Sequence, residues 1–327
     1  GAIGPRHREV PITAMPGLSG VLAMSDGTGM LQHSIGIIPD RNHGYCLDDN
    51  ARALMLMNVA EGLSVETRLT RSATYASFLQ HAWNPARGRF RNFMHFDRSW
   101  AEDVGSEDAS GRALWALGHT AEQAPEPSLR GWALGWFDTV AASLGDMTAA
   151  RGLAFCMLGA AAVVRSRGTH ARAEAILDRG GKLLHRLVES CRRPDWAWFE
   201  AGQLRRRSDW TAAGIETLAW IADRQVAAGG HFRPIGSETF GRAYTQLPFD
   251  QQPLESQAAV EAAEAAWRAT GEERWVEHAV AAYRWYFGAN DRGVVLADLV
   301  DGRCRDGVTP RGRNENCGAE STLAFQL

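Results

Sequence analysis

Two kinds of apolar segment take turns along this chain from about residue 46 onward. One kind is apolar nearly all round: 51–60 (ARALMLMNVA), 112–118 (RALWALG) and 152–164 (GLAFCMLGAAAVV). A helix without a polar face has to be buried on every side. The other kind is striped. In 171–191, Ile176, Leu177, Leu183, Leu184, Leu187 and Val188 recur at helical spacing between charged residues, so that helix faces water on one side. Segments 65–82, 128–144, 210–227 and 274–287 share the stripe, each following a buried segment or a gap where one is expected.

Alternation of buried and half-exposed helices over most of 327 residues predicts helical hairpins set side by side around a common axis, the inner helices shielded by the outer ones. The expected fold is all-α, an (α/α)6 toroid forming a single domain over 1–327, with short β-hairpin loops at one end. A repeat solenoid uses the same alternation, but no fixed period of matching residues runs through the sequence. Three connections are long, aromatic and acidic: 84–106, 230–250 and 291–314. Each leads into a buried helix, which gathers the three loops where inner-helix N-termini converge, and long loops in compact domains are usually functional. One inner helix is lacking. Between Trp196-Ala197-Trp198-Phe199-Glu200 and the stripe starting near Asp209 there is room only for AGQLRRRS. Either residues are missing near 200–209 and again after 327, where Ala324-Phe325-Gln326-Leu327 is mid-helix in character, or the ring is incomplete.

Composition narrows the partners. Hydrophobic residues make up 45% and charged residues 22%, the balance of a globular protein rather than a disordered one. Thirty-five Lys and Arg against 38 Asp and Glu leave no field to attract nucleic acid or an anionic membrane, so neither is expected as a partner. Five cysteines at irregular spacings fit free thiols in a reducing compartment, which suggests the cytoplasm, with the periplasm left open. No metalloprotease, P-loop or dinucleotide-binding motif is present, and neither a metal nor a cofactor is expected.

Polar clusters precede the inner helices: Asp48-Asp49-Asn50, Glu102-Asp103, Ser106-Glu107-Asp108, Asp250-Gln251-Gln252 and Asn314-Glu315-Asn316. Any one of them can be a helix cap, since Asp, Asn and Ser accept bonds from free N–H groups. Capping does not require several carboxylates per junction, with Trp, Tyr and His in the same loops, all at one end of a ring. That combination suits a sugar site. Glycosidic cleavage needs a protonated carboxylic acid at the leaving oxygen and a second carboxylate acting on water or on the anomeric carbon. Crowded, buried acids raise one another's pKa and so keep one member protonated. Trp100, Trp196, Trp198, Phe199 and Phe232 could supply an aromatic platform, or be core. His43, His95 and His231 could be acid/base groups or ordinary loop residues.

The stretches IPDRNHGYCLDDNARALML (38–56), VGSEDASGRALWALG (104–118), FDQQPLESQA (249–258) and GRNENCGAESTLAF (312–325) resemble a bacterial and archaeal family of helical-toroid domains. Its members are found fused behind, or named for, retaining group 1 glycosyltransferases, and the chain is also similar to six-hairpin glycosidases. The resemblance spans nearly the whole chain and implies the toroid. It departs at one place: after W-x-W-F-E the family continues with a Tyr-Asp-Asn-Ala-Arg-Leu inner helix that this sequence lacks. No nucleotide-sugar-binding doubly wound domain is visible, so the transferase label does not carry over.

The reading is a toroid that binds an oligosaccharide or glycan and hydrolyses a glycosidic bond, with inversion as the outcome by analogy. Asp49, Asp103, Glu107, Asp108 and Asp250 are the expected acid/base group and its neighbours. Substrate-binding residues are expected to be His43, Tyr45, Asp48, Arg52, Trp100, Arg112, Trp198, Glu200, His231, Gln251, Gln252, Asn314 and Glu320. Rival readings are a glycan-binding module partnering a glycosyltransferase domain or subunit, a sugar epimerase using histidine, and a glycoside phosphorylase.

Overall fold

The computed structural model describes residues 12–144, 147–191, 208–235 and 249–327. A short helix α1 (Ser19–Ala23) and the strands β1 (Leu31–Ile35) and β2 (Ile38–Cys46) lead into helix α2 (Leu47–Val59). Then follow α3 (Val65–Ala82), the short strands β3 (Trp83–Asn84), β4 (Arg89–Phe90) and β5 (Phe93–Met94), α4 (Glu107–Gln123), α5 (Pro127–Ala141), α6 (Ala150–Arg167) and α7 (Ala171–Cys191). Beyond these lie α8 (Ser208–Arg224), α9 (Pro253–Thr270), α10 (Glu273–Trp285), the strands β6 (Val308–Thr309) and β7 (Gly312–Arg313), and α11 (Ala319–Gln326).

The apolar-all-round segments are the inner helices. Every residue of α2 from Leu47 to Asn58 except Asp48 is buried. On the inner ring α11 packs on α2, α2 on α4, α4 on α6, and α9 on α11. The striped segments lie outside: α3 backs α2, α5 backs α4, α7 backs α6 and α10 backs α9. Helix α8 is another outer helix; its Leu218 joins Ala262, Ala263 and Ala266 of α9 and Trp275 of α10 in one apolar cluster. Residues 200–207, where the alternation lacks an inner helix, lie outside the described residues.

Local chemistry sets the helix starts. Ser64 and Ser106 cap α3 and α4, their hydroxyls accepting from the Thr67 and Ala109 N–H groups at 3.1 Å. Two of the three loops expected to carry hairpins do so: β3 pairs with β4 before α4, and β6 with β7 before α11, while 236–248 of the remaining loop lie outside the described residues; β1, β2 and β5 form a further antiparallel sheet beside the start of α2. Strands β1 and β2 lie in a stretch to which the helix alternation assigned nothing. Cys46, Cys156, Cys304 and Cys317 are free and buried. No helix among the described residues is long and apolar enough to cross a membrane.

The contact between α4 and α6 depends on four glycines, two on each helix and two turns apart: Gly111 and Gly118 on α4, Gly152 and Gly159 on α6. A Cβ added at Gly118 would lie 2.1 Å from the Gly159 carbonyl oxygen, and one at Gly111 would lie 2.2 Å from that of Gly152. Backbone this close leaves no room for a methyl group. Gly118→Ala is expected to push the helices apart and to destabilise the protein by about 1–3 kcal/mol, despite alanine's better helix propensity. Thermal unfolding of the variant checks this, and an unchanged or higher Tm would contradict the packing described.

Candidate active site

Strand β2 runs straight into α2, and Cys46 at the junction serves as the helix cap: its sulfur accepts from the Asp49 N–H at 3.4 Å. This places Asp48 and Asp49 in the first turn, at the end of the ring where the hairpins lie. Two cavities open there. The smaller, 440 Å³, is lined by Cys46, Asp48, Asp49, Asn92, Asp250, Gln252, Asp306, Asn314 and Glu320, with Gln32 and His33 from β1. It is of the size that takes a small ligand, and its walls are dense in carboxylates and amides. The larger, 770 Å³, lies between α4, α6, α8 and α9 and holds Asp108, Arg112, Trp115, Phe155, Glu255 and Gln257. Asp48, Asn92 and Glu320 line both, so the two are neighbours.

The two neighbouring aspartates are set to opposite states. Burial, then the adjacent Asp48, and further off Glu320, push the Asp49 carboxyl up to about 7, against the Cys46 thiol, which donates to it at 3.0 Å. Burial also acts to raise Asp48, but Arg112 and Arg52 outweigh it and hold its carboxyl below the usual range. The Arg112 Nε donates to Asp48 at 2.9 Å. Asp49 is therefore the acid that keeps its proton near neutrality, beside a carboxylate that is ionised. Across the shared rim, burial raises Glu255 in the first turn of α9, opposed by Arg151 and assisted by Glu320. His33 is held low, first by partial desolvation and then by His43. No cluster of three or more His, Cys, Asp or Glu side chains among the described residues is arranged to hold a metal ion.

The expected site residues divide into those the fold brings together and those it uses elsewhere. Asp48, Asp49, Asp250, Gln252, Asn314 and Glu320 meet in the smaller cavity; Asp108 and Arg112 line the larger one. Arg52 lies beneath them, fully buried, donating to the Gln257 side chain at 2.7 Å and to the Glu320 carbonyl at 3.4 Å. Glu107, expected to be catalytic, instead accepts from the Thr148 and Ala149 N–H groups and starts α6. Asp103 is exposed on neither cavity, and its carbonyl accepts from Asn84. Tyr45 is core, its hydroxyl donating to Asp26 at 2.6 Å.

Trp100 packs on Phe78 and His81, and Phe232 on His278, and neither lines the two cavities. His43 is exposed at the edge of His33, 4.5 Å between ring centroids. His231 pairs with Asp291 at 2.9 Å. Asp291 also takes the Arg233 guanidinium and the Gln251 amide, and Trp285 donates to Gln251 at 3.0 Å. Gln251 is thereby turned away into the core, while its neighbours Asp250 and Gln252 face the cavity. Trp198 and Glu200 lie outside the described residues.

Sequence reasoning missed His33, because β1 was unassigned. It also missed Asp306, which lies in the long 291–314 loop and accepts from the Gly318 N–H at the start of α11. Trp115 and Phe155 were counted as buried inner-helix residues. They are half-exposed, stacked at 5.6 Å between centroids with planes 22° apart, and the Arg112 guanidinium sits 3.8 Å from the Phe155 ring centre.

No protein-family model matches the sequence, and no curated protein does either. Solved structures do. The chain is similar to a cellobiose 2-epimerase from Bacillus thermoamylovorans, with a TM-score of 0.70 at 9% identity over 95% of each chain. A sugar epimerase from a ruminal bacterium matches at 0.67 with 12% identity over 93% of each chain. A family 9 endoglucanase matches at 0.58 with 14% identity, covering 91% of this chain and 73% of that one. The fold is an (α/α)6 toroid. At such identities the likeness shows the fold and leaves the chemistry to the residues present.

The raised Asp49 has a consequence for stability. Its carboxyl ionises near 4 in the unfolded chain and near 7 in the folded one, so between those values the native state binds more protons and folding weakens as pH rises. Asp49→Asn is therefore expected to stabilise the fold by about 1–3 kcal/mol at pH 8, with the gain gone below pH 4. Denaturant titrations of both proteins across pH 4–8 check this, and a gain independent of pH would contradict the assignment.

Proposed function

We propose that the protein is a carbohydrate-active enzyme that hydrolyses a glycosidic bond. The observation that carries this reading is Asp49: a carboxyl held near 7 beside a cavity whose walls are rich in carboxylates and amides. Hydrolysis needs a proton for the departing oxygen and a base for the attacking water. Asp49 is the acid. Asp250, exposed on the loop before α9 and lining the same cavity, is the base. Asp48, pinned by Arg112, is the fixed negative charge that adds to burial in keeping Asp49 protonated and stabilises the positive charge developing at the anomeric carbon. Gln252, Asn314 and Gln32 offer amides to sugar hydroxyls. With Asp250 acting on water and not on the anomeric carbon itself, the proposed outcome is inversion, which calls for carboxyl groups about 6.5–9.5 Å apart.

A second reading has an observation of its own. His33 lines the same cavity, held low and so available as a neutral base near neutral pH, which suits proton abstraction beside a sugar carbonyl. Epimerases are also among the structural matches.

Purified protein incubated with a panel of oligosaccharides, with and without phosphate, tests the proposal through released reducing sugar. Asp49→Asn and Asp250→Asn are each expected to lower kcat by about 10²–10⁴-fold with KM little changed. Turnover that requires phosphate would make the enzyme a phosphorylase. Binding without turnover would make the protein a glycan-binding module. Deuterium entering the sugar from heavy water, lost in His33→Gln, would favour the epimerase.

The pH profile is a further check. With Asp49 as the acid, kcat/KM is expected to fall on the alkaline side around pH 7. Cys46→Ala removes a hydrogen bond that favours the ionised carboxylate, so that limb should move to higher pH. A limb unmoved by the substitution would argue against Asp49.

A further inference from the structure

The smaller cavity, which holds the acids, has one wall unlike the rest. Its described lining residues are acids, amides, hydroxyl-bearing side chains, glycines, His33 and the Cys46 thiol, and among them Phe93 is the one large apolar side chain. Phe93 is 42% exposed, so its ring is not taken up by the core. Strand pairing shows which way it points. On β5 and β2, Phe93 stands directly opposite Cys46, and Met94 opposite Tyr45. Residues opposite one another in an antiparallel pair share a face of the sheet, and successive residues alternate between faces. Tyr45 and Met94 take the core face, where both are buried. Cys46 and Phe93 take the other, on which the Cys46 thiol donates to Asp49 at 3.0 Å. The Phe93 ring thus lies on the side that carries the acid. Its backbone is held from both directions: the Phe93 N–H donates to the Glu102 carboxylate at 2.7 Å, and its carbonyl accepts from the Ala101 N–H at 2.9 Å. An exposed ring on a fixed strand is a surface prepared in advance, with little backbone entropy left to lose when a ligand lies on it.

We propose that Phe93 is the sugar platform of the acid cavity, one C–H face of a pyranose ring stacking on it while the hydroxyls at the ring's edge meet Gln32, Gln252 and Asn314. This rests on the carbohydrate reading of the cavity and assigns it a binding residue. The chemistry of a pyranose matches the walls: axial C–H bonds make a flat apolar face that gains by leaving water against an aromatic ring, and equatorial hydroxyls point outward to acceptors and donors. With Phe93 opposite Cys46, and the Cys46 thiol bonded to Asp49, a ring on the platform lies beside the acid. The substrate class is a sugar with an unobstructed C–H face.

Calorimetric titration of the whole protein with cellobiose, maltose, lactose, mannobiose and diacetylchitobiose tests this, in an Asp49→Asn background so that bound sugar is not turned over. One or more of these sugars is expected to bind. Phe93→Leu keeps apolar bulk without a flat face and should weaken that binding by about tenfold. Phe93→Tyr keeps the flat ring and should hold the affinity within about threefold. Sugar affinity unchanged by Phe93→Leu, or lost equally in Phe93→Leu and Phe93→Tyr, would overturn the platform and leave the carbohydrate reading in place. Binding of none of the sugars to the protein with Phe93 intact would overturn both, so the two failures are distinct. A circular dichroism melt of each variant confirms that it is folded.

Discussion

Two buried guanidinium groups hold the inner ring together at its functional end. Arg52 is entirely removed from solvent, and its two terminal nitrogens reach Gln257 on α9 and the Glu320 carbonyl on α11, while its Nε has no partner. Gln257 in turn donates to Glu261. Arg112 does the same between α4 and α2 through Asp48. Burying two cations fixes the relative placement of four inner helices, since removing a partner would leave an uncompensated charge. The same cations set the protonation of the acids above them. Asp48 is close to both and stays ionised; Asp49, one residue on, is crowded by Asp48 and buried, and keeps its proton. Architecture and chemistry share one electrostatic arrangement.

Carboxylates of similar sequence context end up in different roles because backbone donors compete for them. Glu107 follows a capping serine and looks like a loop acid, yet two free N–H groups ahead of α6 lie within its reach, and it starts that helix. Glu102 accepts from the N–H groups of Asn92 and Phe93 and braces the loop that carries Asn92 to the rim. Asp291 gathers His231, Arg233 and Gln251, fixing the strand-like stretch on which Asp250 and Gln252 face the cavity. Asp49 takes its bond from the Cys46 thiol instead of from a distant backbone donor, and both it and Asp250 line the acid cavity.

Much of this was legible in the chain itself. Period and polarity separated α2, α4 and α6 from α3, α5 and α7, because a helix buried all round and one buried on a single face need different residues. Asp48, Asp49, Asp250 and Glu320 could be grouped because each precedes or begins an inner helix, and a ring gathers those ends. Distances no periodicity encodes decided the rest: that Glu107 meets the start of α6, that Tyr45 meets Asp26, and that Trp115 and Phe155 stay half-exposed. Sequence records which side chains can ionise, stack or cap. Only the tertiary arrangement determines which donor reaches an acid first, and so which acid keeps its proton and faces a ligand.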